Sequence, residues 1–93
     1  SDAHGFPFAY RSLGIGKTIG MPVPGTMTAV WWETQINRNI YFGIPQVGIQ
    51  DLDGKLQENY QFEPDIEVKN DYKSVSEGRD KQIEAAVKHL LAL

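Results

Sequence analysis

Apolar positions recur at helical spacing at both ends of the chain and at strand spacing between them. Phe6, Ala9, Tyr10 and Leu13 repeat at i, i+3, i+4 and i+7, which puts them on one face of a helix. Proline is tolerated in the first turn of a helix, so Pro7 predicts a start between Ala3 and Phe6, and Gly14 and Gly16 predict the stop. KTIGMPV then reads as a short strand closed by Pro22, Pro24 and Gly25. TMTAVWWETQI, rich in β-branched and aromatic residues, reads as a longer one. The chain stays extended through INRNIYFGIPQVGI, where Asn37 and Asn39 suit a turn and Pro45 suits an edge or an irregular stretch. Asp53-Gly54 marks a hairpin turn within QVGIQDLDGKLQEN, and PDIEV forms a short strand after Pro64. Near the far end Ile83, Val87, Leu90 and Leu91 make a helical stripe, with Asp80 as its N-cap and Glu84–Lys88 as an i, i+4 pair. Helix, strands, helix predicts an α/β (α+β) fold: a mixed sheet with flanking helices, in a single domain over residues 1–93.

Composition narrows this picture. With 41% hydrophobic and 23% charged residues, the 93-residue chain is globular in character and long enough for one thin core. The net charge is −3, and the nine lysines and arginines are dispersed with no basic stripe, which argues against nucleic-acid binding. The absence of cysteine excludes a disulfide scaffold, a thiol nucleophile and a thiolate zinc site. No apolar run approaches the length of a membrane span.

Few residues carry chemistry. Asp51 and Asp53 in DLDGK lack the further carboxylates of a calcium loop, so a hairpin turn is the better reading. His89 lies beside the apolar stripe and reads as a boundary residue. His4 is three residues from Ser1, but a catalytic base normally reaches a serine from a distant segment. Adjacent strand residues point to opposite faces, so one of Trp31 and Trp32 is expected in the core and the other in an interface or cleft. Serines at helix starts are usually caps. A serine there also has free backbone N–H groups and the positive dipole end beside it, where an oxyanion needs donors, and the N–H of Asp2 is the first of them.

Three stretches in register resemble the C-terminal part of the catalytic domain of the tail-specific, or C-terminal processing, serine peptidases, with most similarity to the tricorn-like core proteases. SDAHGFPFAYRSLGIGKTIGMP is similar to the family's segment of nucleophilic serine, helix and "Leu-Gly-x-Gly-Lys-x-Ile-Gly". QENYQFEPDIEVKND is similar to "Glu-Asn-x-Gly-x-x-Pro-Asp-x-Glu-Val". GRDKQIEAAVKHLL is similar to the closing "Gly-Arg-Asp-x-Gln-Leu-x-x-Ala" helix. The resemblance implies that Ser1 is the nucleophile and that the Asp2 amide helps form the oxyanion hole. It implies that Glu58 is the distal acid of a Ser-His-Ser-Glu tetrad.

The family's histidine, partner serine and second oxyanion donor lie upstream of the nucleophile, so the chain is expected to be one part of a larger peptidase and inert alone. Its partners would be a peptide or protein substrate, the upstream part of the same protein, and a further copy through self-association. No cofactor or metal is implied, the core would be crotonase- or caseinolytic-protease-like, and the setting would be periplasmic or extracytoplasmic, with a cytoplasmic one as the alternative. The sequence departs from the family pattern at Gln61, where glycine is usual, and in the turn MPVPGTMTAV. Two other readings stand beside this one. In an N-terminal-nucleophile hydrolase the Ser1 amine would be the base. In a non-catalytic binding or assembly module neither Ser1 nor Glu58 would matter.

Overall fold

A computed structural model describes all 93 residues. It contains α1 (Asp2–Ser12), β1 (Ile19–Gly20), β2 (Ala29–Thr34), β3 (Tyr41–Val47), β4 (Ile66–Glu67), α2 (Tyr72–Ser76) and α3 (Lys81–Leu90). The class is α+β, as the hydrophobic pattern predicts, with one parallel and one antiparallel strand pair.

Helix α1 starts earlier than Pro7 alone implies, because Ser1 holds the whole first turn. Its hydroxyl accepts from Ala3 N–H at 3.3 Å, and its carbonyl accepts from His4 and Gly5 N–H at 3.0 and 2.9 Å. Pro7 then forfeits one interior bond, to the Ala3 carbonyl, and the helix tolerates it. Gly14, at φ 64°, turns the chain out of the helix.

The regular part of the first predicted strand shrinks to β1, which pairs in parallel with β4 and aligns Ile19 with Ile66. Asp65 fixes this junction. Its carboxylate accepts from the Thr18 backbone N–H at 2.8 Å and the Thr18 hydroxyl at 2.7 Å, with Lys17 at 3.4 Å and Arg11 at 3.7 Å. These donors, the Thr18 N–H foremost, hold the Asp65 carboxyl far below the usual range. Val23 and Phe62 exchange backbone bonds of 2.9 Å, a bridge that keeps the two segments together beyond the strands.

Asp53-Gly54 turns the chain as predicted, with Gln50 bridging Leu56. The Asp51 carboxylate organises the turn by accepting from the Asp53 and Lys55 N–H groups and from Gln57 Nε2. The short helix α2 has no apolar periodicity to announce it. Its signal is the Asp71 cap, which accepts from the Ser74 N–H at 3.0 Å and pairs with Lys81.

Helix α3 begins at its predicted cap, Asp80, which accepts from the N–H groups of Gln82 and Ile83. Its orientation differs from the apolar-stripe expectation. Gln82, Ala85, Ala86 and His89 are half-buried, while Ile83, Val87, Leu90 and Leu91 face outward. The helix meets β1 at Gly20 through Gln82, whose Nε2 donates to the Val68 carbonyl at 2.9 Å. The apolar stripe is left as an outer face.

The two tryptophans also depart from expectation: Trp31 and Trp32 are 58% and 66% exposed, and neither lies in a core. They sit on the β2–β3 ribbon, which makes no extensive contact with either long helix. Met27 and Phe62 are the buried apolar side chains, and His4, Gln57 and Ser74 are the buried polar ones. The molecule measures 55 × 38 × 16 Å, with a radius of gyration of 17.5 Å, against about 12 Å for a compact domain of this length. Its surface is 7381 Å², roughly 2,000 Å² more than a compact monomer of 10.5 kDa exposes. The chain is a layer about one element thick, with large apolar side chains uncovered on its faces.

Candidate active site

Two segments far apart in sequence converge on Thr26–Thr28, the approach to β2. From the cap of α1, the Ser1 backbone nitrogen donates to the Thr26 carbonyl at 2.7 Å. From the loop after the Asp53-Gly54 turn, Glu58 Oε2 accepts three bonds: from Met27 N–H at 2.7 Å, Thr28 N–H at 2.6 Å and the Thr28 hydroxyl at 2.7 Å. Ser1 and Glu58, singled out separately in the sequence, are thus anchored on adjacent residues, Ser1 on Thr26 and Glu58 on Met27 and Thr28.

The local backbone makes this meeting possible. Gly25 packs so closely on the loop that an added Cβ would lie 2.5 Å from Tyr60 N and 2.7 Å from Tyr60 C and O. Asn59 takes up a left-handed conformation (φ 64°) that turns the chain directly after Glu58, and its N–H donates to the Gly25 carbonyl at 2.8 Å. Gly25, Met27 and Thr28 are the residues that sequence reasoning missed. Their only trace there is the unusual turn MPVPGTMTAV, read as a departure from a family pattern.

The electrostatics follow from the donors. The Thr28 hydroxyl, then the Met27 N–H, lower the pKa of Glu58, with the Thr28 N–H adding to them and burial opposing. Glu58 is therefore a carboxylate at neutral pH. Oε2 carries all three bonds, and Oε1 accepts none within the chain.

Ser1 Oγ lies at the N-terminus of α1, where it acts as a cap. The Asp2 N–H beside it has no acceptor within the chain. The Ser1 backbone nitrogen donates to the Thr26 carbonyl, and Ser1 stands at the start of helix α1. His4 does not serve the serine. It is 1% exposed, packed 6.4 Å edge-on to Phe8 and 6.1 Å from Phe62 (centroid to centroid), with Nδ1 enclosed and unpartnered.

A helix-capping serine and a buttressed carboxylate thus meet at one strand entry of a thin α+β layer. The chain is 30% identical over 95 residues to the tricorn protease of Thermoplasma acidophilum, an alignment covering 98% of this chain and 9% of that protein. The chain thus spans about a tenth of the length of this curated relative, and the similarity is to one segment of a protease. No protein-family model and no solved structure matches the chain.

The role of Thr28 is open to direct measurement. Because its hydroxyl is the largest influence lowering the Glu58 pKa, Thr28→Val raises the carboxyl midpoint toward the ordinary value. The sign for stability follows from linkage. A depressed carboxyl stabilises the fold above its unfolded pKa, about 4.3, and that contribution is lost as pH falls through the lower folded value. The unsubstituted chain should therefore lose stability on acidification more steeply than Thr28→Val. Carboxyl NMR titration with acid unfolding checks this; an unmoved Glu58 midpoint contradicts it.

Proposed function

We propose that the chain is the part of a serine peptidase that carries the nucleophile, Ser1, the oxyanion donor Asp2 N–H, and the distal glutamate, Glu58, of a Ser-His-Ser-Glu tetrad. The observation that carries this reading is the anchoring of Ser1 and Glu58 on the consecutive residues Thr26–Thr28. Similarity to a protease segment supports it from a separate direction.

In this reading the histidine and its partner serine come from another part of the same protein. The histidine takes the Ser1 proton as Oγ bonds to the scissile carbonyl carbon, then returns it to the departing amine, leaving an acyl-enzyme. Water, activated by the same histidine, hydrolyses the ester. The Asp2 N–H donates to the oxyanion of each tetrahedral intermediate, where a fixed backbone donor acts at full strength without reorganising. Glu58 is held by three donors on Oε2, and its free Oε1 accepts from the hydroxyl–histidine chain, orienting it and stabilising the imidazolium. The isolated chain, without a base, is inert.

The test is Glu58→Gln in the complete protein. It keeps the side chain's size and removes its charge, and is expected to lower kcat by about 10²–10⁴-fold with little change in KM, as loss of the orienting carboxylate does in serine hydrolases generally. A kcat within twofold of the unsubstituted enzyme would remove Glu58 from the mechanism.

A further inference from the structure

The β2–β3 ribbon has two outer edges, and only one is open. In the antiparallel register Thr34 faces Tyr41, Trp32 faces Gly43, Trp31 faces Ile44 and Val30 faces Pro45. Gln35 N–H donates to the Ile40 carbonyl at 3.0 Å, so Gln35–Ile40 is a hydrogen-bonding position. Antiparallel ladders alternate, which makes Glu33–Phe42 and Trp31–Ile44 the bonded pairs and turns the N–H and C=O groups of Val30, Trp32 and Thr34 outward. The same alternation turns the nitrogen of Pro45 outward on β3, where it has no hydrogen to donate. A proline at that position blocks an edge to further pairing. The β3 edge is also bent by a bulge, since Ala29 aligns with Val47 and Val30 with Pro45, leaving Gln46 unpaired. The β2 edge has no such guard.

From this we infer that the open β2 edge joins two copies of the chain, antiparallel and edge to edge, about a two-fold axis at Trp32. The result is one continuous sheet in the order β3–β2–β2–β3. The register is self-consistent, as a two-fold contact requires. Centring it on Trp32 sets the outward groups of Val30 against those of Thr34 in the second copy, and makes Trp32 bond its own counterpart. It puts Glu33 beside Trp31 of the second copy, so no like charges face each other; a register centred on Glu33 would oppose two carboxylates. It also doubles the ribbon face carrying Trp31, Phe42, Ile44 and Val47, whose side chains are 38–60% exposed in one copy.

The surface permits the association. The chain exposes roughly 2,000 Å² beyond a compact monomer, more than the ~800 Å² that each partner contributes to a standard-size interface. The edge pairing uses part of that surplus and leaves the outer stripe of α3 to other contacts. The inference rests on backbone register and does not depend on the peptidase reading.

The test is residue-resolved amide exchange on the complete protein at low and high concentration, alongside sedimentation equilibrium. The expected result is a weight-average mass that doubles with concentration. Exchange at Val30, Trp32 and Thr34 should slow at least about tenfold, while Trp31 and Glu33, already bonded to β3, are protected throughout. Trp32→Pro deletes the central outward donor without touching the β2–β3 ladder and should leave a monomer in which Trp31 and Glu33 keep their protection. Thr34→Pro, nearer the ribbon end, repeats the test if Trp32→Pro unravels the hairpin. The inference is overturned by a monomer at every concentration, by a dimer whose Val30, Trp32 and Thr34 amides still exchange fast, or by a dimer that survives either proline with the ribbon intact.

Discussion

Replacing Ser1 by alanine in the complete protein is expected to abolish peptide hydrolysis, with kcat falling by about 10⁶-fold, the scale seen when a serine peptidase loses its nucleophile. The proposed mechanism has no substitute for Oγ, because the remaining parts act on charge that develops only after Oγ attacks. Ser1 is also the N-cap of α1, accepting from Ala3 N–H. Ser1→Ala therefore carries a structural cost of about 1 kcal/mol, visible as a lower melting temperature. The two effects separate with Ser1→Gly, since glycine at an N-cap costs only a few tenths of a kcal/mol. Steady-state kinetics and thermal unfolding of both variants check the prediction. Equal inactivity with unequal melting temperatures is the expected pattern. Activity that tracks melting temperature would reduce Ser1 to a cap.

The second large effect is expected at Gly25, a residue with no chemistry of its own. A methyl group there would meet the backbone N, C and O of Tyr60 at 2.5–2.7 Å. No side-chain rotation relieves a clash with main-chain atoms, so the loop carrying Glu58 has to move. Gly25→Ala should destabilise the fold by ~3 kcal/mol or more. It should also lift Glu58 off Met27 and Thr28, so that its carboxyl pKa rises toward the ordinary value. Urea unfolding with carboxyl NMR checks both. A loss below about 0.5 kcal/mol with an unmoved Glu58 would show that the close approach is not what positions the glutamate.

The elements were legible where local chemistry decides them. Asp80 caps α3, Asp53-Gly54 turns its hairpin, and Gly14 ends α1, because capping groups and turn dipeptides act on the residues next to them. What the chain does with each face was not legible. The apolar stripe of α3 points outward, while Gln82 on the other face reaches Gly20 and the Val68 carbonyl. Both tryptophans are exposed for a related reason: alternation assigns them to opposite faces of β2, but only tertiary contacts decide whether either face is covered. The parallel pairing of β1 with β4 joins residues that no local pattern links.

The candidate site divides in the same way. Ser1, Asp2 and Glu58 stood out through family-like motifs rather than through composition or periodicity. Thr28 and Gly25 read only as a strand former and a turn residue. Their importance lies in contacts thirty or more residues away, to the Glu58 carboxylate and the Tyr60 backbone. A residue that positions another across such a separation leaves no local signature.

The most direct test of the central claim, that Ser1 is the nucleophile of a site completed elsewhere in the protein, is fluorophosphonate labelling located by peptide mass spectrometry. It would be run on the complete protein and on this chain side by side. Covalent phosphonylation of Ser1 Oγ is expected in the complete protein and none in the isolated chain, where no histidine activates it. An active complete protein with Ser1 unlabelled, or an isolated chain labelled as fast as the whole, would contradict it.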